Sequence, residues 1–141
     1  MQQRTCYSPT EAAARTPMST TTRKIATFNL NATNSRPPHL LEWLRREQPD
    51  IVGVQELKAM QEAFPEQAIR DAGYGVIWQG EKAWNGVALL AHGVDPVEIR
   101  RVLPWETGDT QSRYLEAAIL GVVVACRYLP NGNPQPVPKL D

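Results

Sequence analysis

The chain has 141 residues, fifteen Lys and Arg against fifteen Asp and Glu, and a hydrophobic fraction of 42%; that is enough for one globular domain. Zero net charge provides no protein-wide field to draw in nucleic acid, so any such binding must use a local patch. Cys6 and Cys126 have neither zinc spacing nor a disulfide framework, a reducing cytoplasmic interior is the default compartment, and no apolar run is long enough to span a bilayer.

The first 22 residues are crowded with Ser and Thr and hold no large aliphatic residue. They lack the apolar core of a secretory signal and are expected to form a disordered tail; Met18 is an alternative start. Lys24–Leu30 (KIATFNL) alternates and reads as a strand. Asn31–Pro38 is a loop of turn residues, with Pro38 placed as the first helical residue. Leu40, Leu41, Trp43 and Leu44 follow at helical spacing, and Gln48-Pro49-Asp50 stops that helix. Ile51–Gln55 (IVGVQ) is apolar on both faces, as expected of a strand covered on both sides. A second helix is expected from near Pro65 to just before Gly73.

Five further strand signals follow: Tyr74–Trp78, Gly86–Ala91, a weaker Val97–Val102, and Tyr114–Leu120 with Val122–Arg127 as a tight hairpin around Gly121. From Leu129 onward the chain is proline-rich. Strand–helix–strand–helix and then strands alone indicates an α+β or mixed α/β fold, with helices packed on a sheet.

Asn29 and Glu56 each end a predicted strand, and one helix joins the two strands. If that connection is a parallel crossover, both residues face the same edge, where crevices at strand carboxyl ends receive ligands. A carboxylate beside a carboxamide offers hard oxygen ligands of the kind magnesium takes; taken alone, Glu56 reads more simply as an ordinary surface residue. The other polar clusters also have plain readings. Trp84-Asn85-Gly86 can be a turn with a packing Trp, Arg113 can pair with any nearby acid, and Tyr128 to Gly132 can be a strand exit into an Asn-Gly turn.

Five motifs carry a resemblance: KIATFNLNATNSR (Lys24–Arg36), QPDIVGVQELKA (Gln48–Ala59), WNGVALLA (Trp84–Ala91), QSRYLEA (Gln111–Ala117) and YLPNGNP (Tyr128–Pro134). In order and spacing the chain resembles the exodeoxyribonuclease III family, within the endonuclease/exonuclease/phosphatase superfamily, over residues 23–141. QELK alone points only to the wider superfamily; WNGVALLA and YLPNGNP point to this branch and away from its phosphatases.

The resemblance implies a four-layer α/β/β/α sandwich and Mg²⁺-dependent (or Mn²⁺-dependent) hydrolysis of double-stranded DNA, at abasic sites and 3′ ends, in the cytoplasm or on a bacterial nucleoid. It implies that Glu56 and Asn29 form the metal site and that Tyr128 and Asn131 face the scissile phosphate. It also implies that Lys58, Trp84, Asn85 and Arg113 line the DNA cleft.

The family's Gly-Asp-x-Asn and Ser-Asp-His motifs do not occur; the one Gly-Asp pair, Gly108-Asp109, continues as Thr110-Gln111. His39 and His92, the only histidines, read as a helix-start residue and a strand-exit residue. Ala32 stands where a glycine is usual, and Arg127 where the strand is usually apolar. The expectation is the N-terminal half of such an enzyme, inactive alone, with its first sheet left uncovered for want of the second. The alternative is a non-catalytic half-domain that binds DNA or a partner.

Overall fold

A computed structural model describes residues 21–31, 37–81, 85–105, 108 and 111–129. Most of the expected N-terminal tail, together with Trp84 and Asn131, lies outside the described residues. The elements in chain order are β1 (Ile25–Asn29), α1 (Pro37–Glu47), β2 (Ile51–Gln55), α2 (Glu66–Asp71), β3 (Tyr74–Gln79), β4 (Val87–His92), β5 (Val97–Arg100), β6 (Tyr114–Ile119) and β7 (Val122–Arg127); a short 3₁₀ turn, Gln61–Ala63, precedes α2. Every expected element is present, β2 and β7 with the expected bounds and the others with ends shifted by one or two residues. α1 begins at Pro37 rather than Pro38, because a first-turn N–H has no helical partner and either proline is tolerated there. β5 stops at Arg100, where its register against β6 shifts.

The first sheet has the order β1-β2-β4-β3. β1 and β2 pair in parallel through the α1 crossover, with Asn29 opposite Gln55; β4 runs antiparallel to both of its neighbours. The strand ends therefore face one way, as the parallel crossover required. On the outer face Leu40 and Leu44 of α1 and Ile69 of α2 bury against Val52, Val54, Val76 and Leu90. Trp43 packs on Phe28 at 5.1 Å and Trp78 stacks on Phe64 at 4.8 Å. Helix α1 closes on Gln48, left-handed at φ 43°, whose N–H reaches Leu44 O at 3.0 Å.

The expectation of an uncovered first sheet is overturned. β5, β6 and β7 form a second, three-stranded antiparallel sheet that packs on the first, with β7 against β2 and β6 against β4. Leu115, Ala117 and Ile119 alternate along β6 and bury against Ile51, Val87, Leu89 and Ala91. Among the described residues the hairpin pairs only with β5, and its apolar row packs on the first sheet's inner face. Leu120 and Gly121, at φ 51° and 84°, make the two-residue turn whose twist suits a hairpin. The described residues thus form three layers, with helices on the outer face of the first sheet alone; the fourth layer of the expected sandwich is not formed by them.

Gly53 lets the sheets meet. It lies on the inner face of β2, and a Cβ there would stand 3.3 Å from Cys126 Sγ on β7. Gln55 Nε2 donates to that sulfur at 3.2 Å, and the thiol lies 3.5 Å from Val54 O. Burial pushes the Cys126 thiol up to about 11, although the Gln55 bond lowers it. Since the thiolate is the nucleophile, a Cys6→Ser variant at about pH 8 should resist alkylation in the folded state, by roughly a hundredfold relative to an ordinary thiol. Iodoacetamide labelling followed by mass spectrometry should show full modification only after denaturation; rapid native labelling would mean the sheets do not meet at Cys126.

Candidate active site

The chemistry-bearing residues gather where β1 and β2 end, β4 and β6 begin, and β7 ends. After Gln55, β2 leaves its ladder through Glu56 (φ 55°), Leu57 and Lys58 (φ 48°). Left-handed backbone at a non-glycine residue costs about 1–3 kcal/mol and needs surrounding structure to hold it. Leu57 supplies much of that structure: it is fully buried in the helix-side core, and its N–H reaches Gly86 O at 3.3 Å. The Lys58 N–H donates to Asn85 O at 3.0 Å. Gly86 sits so close that a Cβ there would stand 2.7 Å from Leu57 Cβ, and its own φ is 112°. With Leu57 turned inward, the side chains on either side of it turn outward together.

Glu56 is the centre of the resulting cluster. Asn29 Nδ2 donates to Glu56 Oε1 at 2.9 Å, and Lys58 Nζ lies 3.4 Å from Glu56 Oε2. Asn29 Oδ1 accepts from the Asn31 N–H at 3.1 Å, and Lys58 Nζ also donates to Asn31 Oδ1. Asn31 is left-handed as well, at φ 46°, a conformation its short polar side chain tolerates. From the second sheet, Tyr128 brings its phenol beside Glu56. The Tyr128 phenol is raised above its ordinary value first by burial, then by the charge and hydrogen-bonding capacity of Glu56, while Arg113 opposes the rise. It is therefore a neutral donor at neutral pH.

A second cluster adjoins the first. Arg113 and Tyr128 extend the β6–β7 ladder, the Tyr128 N–H donating to Arg113 O at 2.8 Å. Arg113 Nε approaches Asn85 Oδ1 at 3.4 Å. Asn85 Nδ2 donates to Glu81 Oε2 at 3.1 Å and lies 3.4 Å from Gln111 Oε1. Glu81 Oε2 also accepts the Ser112 N–H at 2.9 Å, and the Gly86 N–H donates to Ser112 O at 2.9 Å. This network ties the start of β4 to the start of β6, and so one sheet to the other at the rim of the site.

The structure thus gathers Asn29, Glu56, Lys58 and Tyr128 in one cluster and joins Asn85 and Arg113 at its edge. Asn85 is buried, with both ends of its amide engaged within the protein. The sequence reading did not single out Asn31, Glu81, Gln111 or Ser112. Asn31 stood in a quoted motif two residues beyond Asn29, and Gln111 and Ser112 began another; Glu81 carried no local signal.

The donor set at Glu56 suits a hard cation. One carboxylate there matches the small number of protein ligands magnesium takes alongside water and substrate phosphate. Among the described residues no three His, Cys, Asp or Glu side chains converge, unlike the closed nitrogen and sulfur cage of structural zinc. Asn29 turns its amide nitrogen to Glu56 and its oxygen to Asn31, which orients the carboxylate.

Replacing Glu56 with Gln removes its charge and the carboxylate acceptor but keeps the burial of Tyr128. A phenolate absorbance titration, read as the difference between Glu56→Gln with and without Tyr128→Phe, should show Tyr128 titrating lower than in the parent protein. An unchanged Tyr128 titration would separate the two residues.

Residues 26–133 match the endonuclease/exonuclease/phosphatase family. Exodeoxyribonuclease III of Haemophilus influenzae is 36% identical over 114 residues, which are 78% of this chain and 42% of that enzyme. The DNA repair nuclease APEX1 of Danio rerio is 28% identical over 97 residues, 66% of this chain and 31% of that protein. Among solved structures, the 3′ phosphatase NExo from Neisseria, bound to a product DNA hairpin, superposes with a TM-score of 0.77 at 36% identity, covering 83% of this chain and 45% of that one. An AP endonuclease from Archaeoglobus fulgidus superposes at 0.71 with 37% identity, covering 77% and 42%. The chain spans less than half the length of these relatives.

Proposed function

The chain belongs to the endonuclease/exonuclease/phosphatase family, on its exodeoxyribonuclease III branch, and we propose that it carries the metal-binding and phosphate-facing part of a Mg²⁺-dependent nuclease that cleaves DNA at abasic sites and 3′ ends. The observation that carries this reading is the Glu56 carboxylate, held by Asn29 Nδ2 at 2.9 Å and Lys58 Nζ at 3.4 Å, with a neutral Tyr128 donor beside it.

Glu56 would hold the cation, Mg²⁺ or Mn²⁺. When bound, the cation neutralises charge on phosphate oxygens and helps make a water nucleophilic. Asn29 fixes the carboxylate rotamer and Asn31 fixes Asn29. Tyr128 keeps its proton and, once Glu56 is engaged by the cation, can turn its one O–H to a phosphate oxygen as negative charge develops there. Asn131 is assigned the same role from the sequence resemblance, with Trp84 assigned to the DNA cleft on the same ground. Lys58 and Arg113 supply positive charge for the backbone of a double-stranded substrate, which makes binding salt-sensitive. Asn85 contributes by holding Arg113.

The general base of the family's chemistry is not assigned to any residue of this chain, so the isolated chain is expected to bind DNA without cleaving it. Activity is tested by grafting residues 23–129 in place of the matching part of the Haemophilus enzyme and assaying a duplex with one abasic site. Mg²⁺-dependent cleavage is expected, falling on the order of a thousandfold in Glu56→Ala with the circular dichroism unchanged. Near-normal cleavage by a folded Glu56→Ala chimera would refute the metal assignment. Arg113→Ala should weaken DNA binding and reduce the salt slope by about one; a salt-independent loss would assign Arg113 to packing instead.

A further inference from the structure

Glu81 is an acid at a rim where the proposed function calls for positive charge. Its partner Asn85 and the adjoining Arg113 are assigned to the DNA side of the site, and a carboxylate there repels a phosphate backbone. Its hydrogen bonds supply a different reason for its presence. One oxygen, Oε2, accepts from Asn85 Nδ2 at 3.1 Å and from the Ser112 N–H at 2.9 Å. Asn85 and Ser112 are 8% and 6% exposed, so losing that acceptor would leave buried donors unpaired.

An asparagine amide has a donor end and an acceptor end. Asn85 Nδ2 faces two acceptors, Glu81 Oε2 and, at 3.4 Å, Gln111 Oε1. Asn85 Oδ1 faces Arg113 Nε at 3.4 Å. Turned over, the amide would set acceptor against acceptor at Glu81 and donor against donor at Arg113. The carboxylate therefore fixes which end of Asn85 meets the guanidinium. A guanidinium held at Nε keeps its terminal fork for a two-point grip on a phosphate.

Glu81 is itself held from behind. The Gly80 N–H donates to Gln61 Oε1 at 2.8 Å, and Ser112 Oγ donates to Gly80 O at 3.2 Å. A Cβ on Gly80 would stand 2.7 Å from Ala59 O and 2.8 Å from the Gln61 backbone nitrogen. Gln61 Nε2 also donates to Trp78 O at 3.3 Å, and Trp78 Nε1 donates to Gln61 O at 2.9 Å. The backbone ahead of Glu81 is clasped on both sides and has no slack with which to follow a shorter side chain.

We infer, on the reading of Arg113 as a phosphate contact, that Glu81 is a positioning residue for DNA binding. Its Oε2 sets the sense of the Asn85 amide and, through that amide, the aim of Arg113. The role depends on reach rather than charge, and two substitutions pull these apart. Glu81→Asp keeps the charge and withdraws the oxygen by one methylene. Glu81→Gln removes the charge and can keep both bonds, since both fall on one oxygen.

The test is titration of the 141-residue chain into a fluorescent duplex carrying one abasic site, at several salt concentrations. Glu81→Asp is expected to lower affinity about tenfold and to reduce the salt slope by about one, as Arg113→Ala does. Glu81→Gln binds at least as tightly as the parent, because a repelling charge has gone. In an Arg113→Ala background Glu81→Asp has no further effect. A second readout needs no DNA: exchange of the Asn85 Nδ2 and Arg113 Nε protons with water, followed by NMR, quickens in Glu81→Asp and not in Glu81→Gln. Unchanged exchange at Arg113 Nε in Glu81→Asp overturns the proposal, and so does a loss of affinity in Glu81→Gln alone or in both variants equally. A melting temperature lowered by about 5 °C or more in Glu81→Asp overturns it too, assigning Glu81 to folding. A parent chain that fails to bind the duplex while the exchange pattern holds leaves the positioning of Arg113 standing and counts against the nuclease reading alone.

Discussion

Leu57 is fully buried between two charged neighbours that are not, and the geometry of the site follows from that contrast. Burying a Leu side chain yields roughly 1.5–3 kcal/mol, comparable to the cost of one or two left-handed non-glycine residues. The Lys58 N–H bond to Asn85 O and the Leu57 contact with Gly86 pin the same turn. Glu56 and Lys58 are therefore presented side by side by a rigid turn rather than by a mobile loop. Preorganisation of this kind is what an electrostatic site needs, because its groups must not reorganise as charge develops.

Glu56 receives hydrogen-bond or ionic partners from three directions: Asn29 from β1, Lys58 from its own turn and Tyr128 from the second sheet. Each partner is placed by a separate part of the fold. The α1 crossover aligns β1 with β2, the Leu57 anchor sets the turn, and the bare Gly53 surface lets β7 come close enough for Tyr128 to reach across. Loss of the contact between sheets would remove the Tyr128 donor while leaving Asn29 and Lys58 in place. Packing in the sandwich interior is thus coupled to the protonation of a phenol at its edge.

Much of this was legible in the sequence because the signals were local. Ile51, Val52 and Val54 of IVGVQ are apolar and end up buried against packed layers, the prolines before Leu40 mark the start of a helix, and Leu120-Gly121 marks a hairpin. Asn29 and Glu56 were paired correctly because a parallel crossover leaves little freedom in where two strand ends point. The division into two sheets was not legible. Alternation in β6 shows that one face is buried but not which surface buries it, and only the pairing partners settle that. The Glu81–Asn85–Ser112 network was hidden for the same reason: it joins residues up to 31 apart, and none is unusual in its own neighbourhood. Asn85 was expected in the cleft, but its amide is engaged internally, which sequence spacing cannot reveal.

The contrast between Ile51 and Ile25 bears on how the whole chain is stabilised. Two isoleucines are in register on one sheet, but Ile51 lies on an interior strand beneath β7 and Ile25 on an edge strand beyond it, and one is sealed while the other stands open. The inner core therefore ends abruptly at β2, and β1 is held by its ladder to β2 and by α1, through Phe28 against Trp43. A strand supported on one face and one edge opens more easily than the centre of its sheet. Asn29 sits on that strand, so the least supported strand of the first sheet carries the residue that orients Glu56. Covering β1 would then do two things at once: bury Ile25 and hold Asn29 against the carboxylate.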